Sequence, residues 1–229
     1  MRSGLIKVAG GIATVLYAVA VILHMLVFRD RDVFYRYARA WSRLLLRLGP
    51  IHLSVTGLEH LQPGQRYVYA VNHVTMLDIP IVLAAVPDNI RIMYKQELEN
   101  VPVFGWALKL SPFIALNRER TRSAADAVAS TVHTMSSGTS VLVFPEGQRS
   151  YDGTLGTFRR GAVMLAVRSH TPVVPVTLRH AETIMHGSRI VGGSVDVVIH
   201  PAMSVDHVRT TADEKAFTEQ IRQIVASSL

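Results

Sequence analysis

The 229-residue chain has no cysteine, which excludes a disulfide framework, a thiolate nucleophile and sulfur-ligated metal sites. It also lacks a Gly-x-Ser-x-Gly elbow, so the usual serine nucleophile of a hydrolase triad is missing. Zinc-ligand spacings, RNA-binding aromatic signatures, internal repeats and low-complexity linkers are absent as well. Acidic residues are in the minority, 17 against 24 Lys and Arg, for a net charge of +7. Without a nucleic-acid motif, that basic balance points to anionic lipid rather than to DNA or RNA.

Charge is thinnest at the N-terminus. From Val8 to Phe28 only His24 can carry charge near neutral pH. As a helix this run is roughly 31 Å long, about the thickness of a bilayer's hydrocarbon core. A retained anchor, a signal peptide and a buried core helix all share that length. Arg2, Lys7 and Ala18-Val19-Ala20 resemble a signal with its cleavage site, but the apolar run continues unbroken to Phe28, which favours the anchor. The next segment, Val33 to Leu48, reads as a basic amphipathic helix. Arg36, Arg39, Arg43 and Arg47 fall on one stripe, and Phe34, Tyr37, Trp41, Leu44, Leu45 and Leu48 on the other face. Such a helix suits a membrane interface, with the packed surface helix as the alternative. If the first helix spans the bilayer, the arginine excess on its C-terminal side predicts that the following domain lies on the cytoplasmic side of a cell membrane.

Residues 1–48 are therefore expected to form a two-helix membrane-binding segment, and residues 49–229 a single α/β domain. Short apolar runs at Tyr67–Val71, Ile90–Tyr94, Phe113–Leu116, Ser140–Phe144, Val173–Leu178 and Val195–Ile199 predict strands. Helical patterns lie at Ser123–Met135, Arg160–Ser169 and Asp213–Val225. Alternation of this kind predicts a mixed, largely parallel central sheet flanked by helices, with the site in loops at strand ends.

Two clusters bear chemistry. His73 and Asp78 follow the first strand, five positions apart, and on a continuous helix they would lie about 140° from each other. They can meet only across a turn or a helix start, with Asn72 as a candidate cap and Thr75 as a local hydroxyl. An imidazole steadied by a carboxylate takes a proton from an alcohol near neutral pH. With no protein nucleophile evident, that alcohol belongs to a substrate. The second cluster, Phe144-Pro145-Glu146-Gly147-Gln148-Arg149-Ser150, places a carboxylate and a guanidinium at the end of a buried strand, where turn chemistry and a local salt bridge are the plainer roles.

Four blocks occur in order: Asn72-His73-x4-Asp78, Phe113 to Arg118, Phe144 to Ser150, and Val174-Pro175-Val176. They resemble the glycerolipid acyltransferase family, in particular its lysophosphatidic acid acyltransferases, which make phosphatidic acid. Lys95-Gln96-Glu97-Leu98, Pro102 to Trp106 and Phe158-Arg159-Arg160-Gly161 resemble further stretches of it. The second block departs from the usual pattern, with Ser111-Pro112 near its start and Asn117 before the arginine; Thr75 and Gln148 stand where serine and threonine are commoner. The resemblance implies His73 as general base and Asp78 as its orienting acid. It implies Lys95, Arg118 and Arg149 on the acceptor's phosphate, and Glu146 and Gly147 on its glycerol region. The co-substrate would be acyl-CoA or acyl-carrier protein, the acceptor a lysophospholipid in a phospholipid membrane, with no cofactor, metal or nucleic acid. Another lysolipid, ornithine-type lipid or glycolipid acceptor, a thioester hydrolase and a non-catalytic membrane module are the rival readings.

Overall fold

The computed structural model describes residues 2–30, 33–116, 128, 131–132, 139–150 and 152–229. Two N-terminal helices, α1 (Arg2–Phe28) and α2 (Val33–Leu48), lead into β1 (Ile51–Thr56) and β2 (Val68–Val71). Then follow α3 (Asp78–Ala85), β3 (Ile90–Lys95), α4 (Phe104–Leu110), β4 (Ile114–Leu116), β5 (Ser140–Val143) and α5 (Gly161–Ser169). Strand β6 (Val173–Arg179), the small hairpin β7 (Met185–His186) and β8 (Arg189–Ile190), β9 (Gly193–Ile199) and α6 (Thr211–Ala226) complete the chain.

Seven strands form one sheet in the order β1-β9-β6-β2-β5-β3-β4. The five from β6 to β4 are parallel; β9 joins β6 antiparallel, and β1 lies parallel to β9 at the edge. This is the mixed, largely parallel sheet that the sequence implies. Every residue of β2 and β5 is buried, as central parallel strands covered on both faces require. Along β2 the side chains alternate between two cores. Tyr69 and Val71 join Ile81, Leu83, Ile92 and Val176 on the α2–α3 side, while Val68 and Ala70 join Val141, Leu165 and Phe217 under α5 and α6. The C-terminal helix α6 opens with a capping box in which Thr210 accepts from the Asp213 N–H and Asp213 accepts from the Thr210 N–H.

Three expectations need correction. Residues 51–56 form a strand where none is expected from the sequence. Their alternating burial reflects an edge position, which leaves only half the apolar signal of a central strand. Helix α2 turns its apolar face inward. Phe34 is buried, Leu46 belongs to the main core, and the Trp41 indole N–H donates to Thr14 Oγ1 on α1 at 3.0 Å. The packed-helix alternative therefore holds for α2, because α1 and α3 offer the same apolar partner that lipid would. Arg36, Arg43 and Arg47 stay exposed. The third concerns Asn72, described below. Of the predicted helix at Ser123–Met135, only Val128, Thr131 and Val132 are among the described residues; they are helical, and Val128 and Thr131 are buried.

Helix α1 is not a core helix. Ala18 and Val21 pack against α2 and α4, yet Leu5, Ile12, Leu16, Leu23 and Leu26 form a bare apolar stripe on its opposite side. Near its start, Lys7 Nζ donates to Ser188 Oγ in the β7–β8 turn at 3.1 Å. The helix thus lies along the domain over most of its length.

Candidate active site

The parallel register brings the C-terminal ends of β2, β5, β3 and β4 to one sheet edge, where open α/β sheets place their ligand sites. Asn72, first after β2, does not cap α3. Its amide instead brackets Leu178 of β6, donating to the carbonyl at 3.0 Å and accepting from the N–H at 2.8 Å. This anchors the exit of β2, so the next residue, His73, starts from a fixed point.

His73 Nδ1 lies 2.7 Å from Asp78 Oδ2. Asp78 is fully buried at the first turn of α3 and also accepts from the Val74 N–H at 2.6 Å, the Thr75 N–H at 3.0 Å and the Thr75 hydroxyl at 3.0 Å. The chain from 74 to 78 folds around this carboxylate, which explains how positions five apart meet. With only donors facing Asp78, Nδ1 carries the ring proton and Nε2 keeps its lone pair. The His73 ring stacks on Phe144 with centroids 3.9 Å apart and planes 15° apart, which fixes its orientation. Sequence reasoning gave Phe144 no part; its place just before Pro145 was the available signal.

Glu146 is buried at 6% exposure and holds two loops together. Oε1 accepts from the His73 N–H at 2.7 Å and Oε2 from the Gly156 N–H at 2.9 Å, while the Ser150 N–H donates to the His73 carbonyl at 2.9 Å. Both of its oxygens thus bind backbone. A Cβ on Gly156 would sit 2.9 Å from Glu146 Oε2. Gly156→Ala is therefore expected to displace the brace, costing about 1–3 kcal/mol in stability, as read by calorimetry. An unchanged Tm would mean that the loop has slack. Gly147 follows with φ +73°, and a Cβ there would lie 3.4 Å from the Arg159 guanidinium.

Lys95 ends β3, half-exposed, with Nζ 3.2 Å from Glu97 Oε1. Arg149 instead lines a cavity of about 520 Å³ with Gln148, Ser150, Thr157 and Arg159, and Lys95 is not on its wall. Arg118 and Asn117 lie outside the described residues. The structure thus brings together His73, Asp78, Glu146 and the loop of Gly147 and Arg149, with Lys95 at the end of β3 and off the wall of the arginine cavity.

A second cavity, about 330 Å³ and overwhelmingly apolar, opens between α1, α2, α3 and α4. Ala18, Phe34, Trp41, Leu83 and Leu108 line it, and Met76 and Leu77 carry its wall into the loop that holds His73. Tyr94 presents its hydroxyl to Glu99 Oε1 at 3.1 Å and the Leu108 carbonyl at 3.3 Å; burial, then the Glu99 hydrogen bond, push its pKa up, so it stays a neutral donor. The wall at α4 explains the Pro102-Val103-Phe104-Gly105 run. Val103 adopts φ +64° and ψ −59° in a γ-turn closed by the Phe104 N–H to the Pro102 carbonyl at 2.7 Å. A Cβ on Gly105 would fall 2.3 Å from the Glu99 carbonyl oxygen. No other residue type fits there without moving the backbone.

Fold and site together define the glycerolipid acyltransferase class. More particularly, the chain belongs to the Acyltransferase family, whose profile matches residues 52–179. It is similar to a chloroplastic 1-acyl-sn-glycerol-3-phosphate acyltransferase of Brassica napus, with 34% identity over 202 residues covering 84% of this chain and 58% of that one. It is also similar to the 1-acyl-sn-glycerol-3-phosphate acyltransferase of Borreliella burgdorferi, with 28% identity over 83% of this chain and 77% of that one. The chain thus spans a little over half the length of the plant relatives it matches, 58% and 56%. The crystal structure of the 1-acyl-sn-glycerophosphate acyltransferase PlsC from Thermotoga maritima superposes with a TM-score of 0.82 over 99% of this chain and 94% of that one. At 21% identity that likeness establishes the shared fold, first helices included.

Proposed function

We propose that this chain is a membrane-associated O-acyltransferase that moves a fatty acyl group from the thioester of acyl-CoA or acyl-carrier protein to the free hydroxyl of 1-acyl-glycerol-3-phosphate, giving phosphatidic acid. The observation that carries it is the 2.7 Å contact of His73 Nδ1 with Asp78, which leaves Nε2 as the free base. The activity of the Brassica napus and Borreliella burgdorferi relatives, 1-acyl-sn-glycerol-3-phosphate acyltransferases, supports the same acceptor. Nε2 takes the acceptor's hydroxyl proton as its oxygen attacks the thioester carbonyl. The tetrahedral adduct collapses, the carbon–sulfur bond breaks, and the imidazolium returns its proton to the departing thiolate. Asp78 stabilises the transient imidazolium and keeps the tautomer. No acyl-enzyme forms.

An amphiphilic substrate suits the surroundings of His73. The apolar cavity that begins at Met76 and Leu77 is a place for an acyl chain, and the arginine cavity behind Ser150 is a place for phosphate. The bare stripe of α1, with the exposed Arg36, Arg43 and Arg47 of α2, would set the site at the bilayer surface. Because α1 lies along the domain, it would enter one leaflet rather than cross both.

The test is acyl transfer by the purified full chain, with labelled acyl-CoA or acyl-carrier protein and a panel of lysolipids. Labelled phosphatidic acid from lysophosphatidic acid is the expected product, at a rate exceeding that with neutral or zwitterionic lysolipids. Thioester loss indifferent to every acceptor would make the protein a hydrolase and end this reading.

A further inference from the structure

The two adjacent arginines of Phe158-Arg159-Arg160-Gly161 have different fates. Arg160 donates from Nη1 to Glu214 Oε2 at 2.8 Å and ties the start of α5 to α6, while Phe158 is buried in the core beneath. Arg159 does neither. Its backbone N–H donates to the Pro145 carbonyl at 2.8 Å, which roots the residue against the turn after β5, and its guanidinium lies over Gly147.

Arg149 shares the same cavity, and neither guanidinium has a hydrogen bond or ion pair with any described residue. The cavity's two acids form no ion pair with them. Glu146 spends both oxygens on backbone N–H groups, and Asp152 turns Oδ1 to the Thr154 N–H at 3.0 Å. Two guanidiniums unpaired among the described residues, in a cavity also lined by Ser150, Thr154 and Thr157, suit an anion with several oxygens. The cavity is joined to the base through the Ser150 N–H to His73 carbonyl bond at 2.9 Å.

We propose that Arg159 is a substrate-binding residue and forms a phosphate clamp with Arg149. Lys95 lies across β5 from His73's strand, is engaged with Glu97 and does not line this cavity. The inference rests on the acyl-transfer reading for the identity of the ligand. Both substrates carry the required chemistry, the acceptor as a phosphate monoester and the donor in the phosphate of its phosphopantetheine arm.

Two measurements test it on the full chain in detergent micelles. In steady-state kinetics, Arg159→Ala is expected to raise KM for one phosphate-bearing substrate tenfold or more while kcat stays within twofold. Arg159→Lys should recover part of that loss, since lysine keeps the charge without the fork. A rise confined to the lysolipid assigns the clamp to the acceptor; one confined to the thioester assigns it to the donor. Arg160→Ala, which loses only the Glu214 pair, should leave both KM values unchanged, and an equal rise there would overturn the proposal. The second readout is calorimetric titration with glycerol 3-phosphate and with coenzyme A at low salt. Wild type should bind at least one probe, and Arg159→Ala should bind it at least tenfold more weakly. Loss of probe binding in a protein that acylates no lysolipid would keep the clamp and sink the proposed function. Acyl transfer with KM values and probe affinities indifferent to Arg159→Ala would sink the clamp alone.

Discussion

His73→Ala is expected to lower kcat for acyl transfer roughly 10²- to 10⁴-fold, the span a well-placed general base contributes. The acceptor hydroxyl has a pKa far above neutrality, so attack on the thioester needs somewhere for its proton to go. On the proposed reading Nε2 is that acceptor, since Asp78 faces Nδ1 and Phe144 fixes the ring plane. Alanine removes the base and leaves the rest of the turn in place, since the Asp78 bonds to Val74 and Thr75 do not involve the ring. The imidazole's stack on Phe144 is worth about 1 kcal/mol, so Tm should fall by only a few degrees. Liposome association should be unchanged, and KM for both substrates should move little, because the base acts in the transition state. A single-turnover assay with labelled thioester reads the chemistry directly. Residual activity within tenfold of wild type would place the base elsewhere and remove His73 from the mechanism.

The His73–Asp78 pair was legible because its geometry is local. Five residues of one turn hold it, and a spacing that forbids a helix already implies that turn. The central strands were legible for a related reason: full burial on both faces leaves continuous apolar runs, as in Ser140–Val143 and Val173–Arg179. Strand β1 was not, since an edge strand shows water every second side chain and follows a Gly-Pro that ends a helix. Neither was the brace role of Glu146, which depends on β2 and β5 being neighbours although about 70 residues separate their ends. Adjacency of that kind is a property of the sheet order, and no local pattern encodes it. The apolar cavity escaped for the same reason, being assembled from four helices. On α2 the pattern was read correctly and its partner was not: an apolar stripe cannot by itself distinguish lipid from a neighbouring helix. Arg159 had a signal in the Phe-Arg-Arg-Gly run, but only coordinates separate the arginine that pairs with Glu214 from the one that faces the cavity.

Charging the bare stripe of α1 should detach the protein from lipid without unfolding it. Leu16, Leu23 and Leu26 are 62%, 57% and 66% exposed, so Leu16→Glu, Leu23→Glu and Leu26→Glu remove little from the folded core. In a bilayer, each leucine would contribute about 2 kcal/mol of apolar burial. Three together amount to about 6 kcal/mol, roughly four orders of magnitude in partition coefficient. Sedimentation with vesicles containing phosphatidylglycerol should therefore leave the triple variant in the supernatant, with Tm within a few degrees of wild type. Any remaining binding should come from Arg36, Arg43 and Arg47, at about 1 kcal/mol each near an anionic surface, and should vanish as salt rises. Turnover of a short-chain acceptor dissolved as monomers should persist, because the His73 site and both cavities keep their walls. Loss of activity on vesicles with retention on monomers would separate docking from chemistry. Pelleting at the wild-type level would instead mean that this face meets a protein partner or solvent, and that the membrane is reached through some other surface.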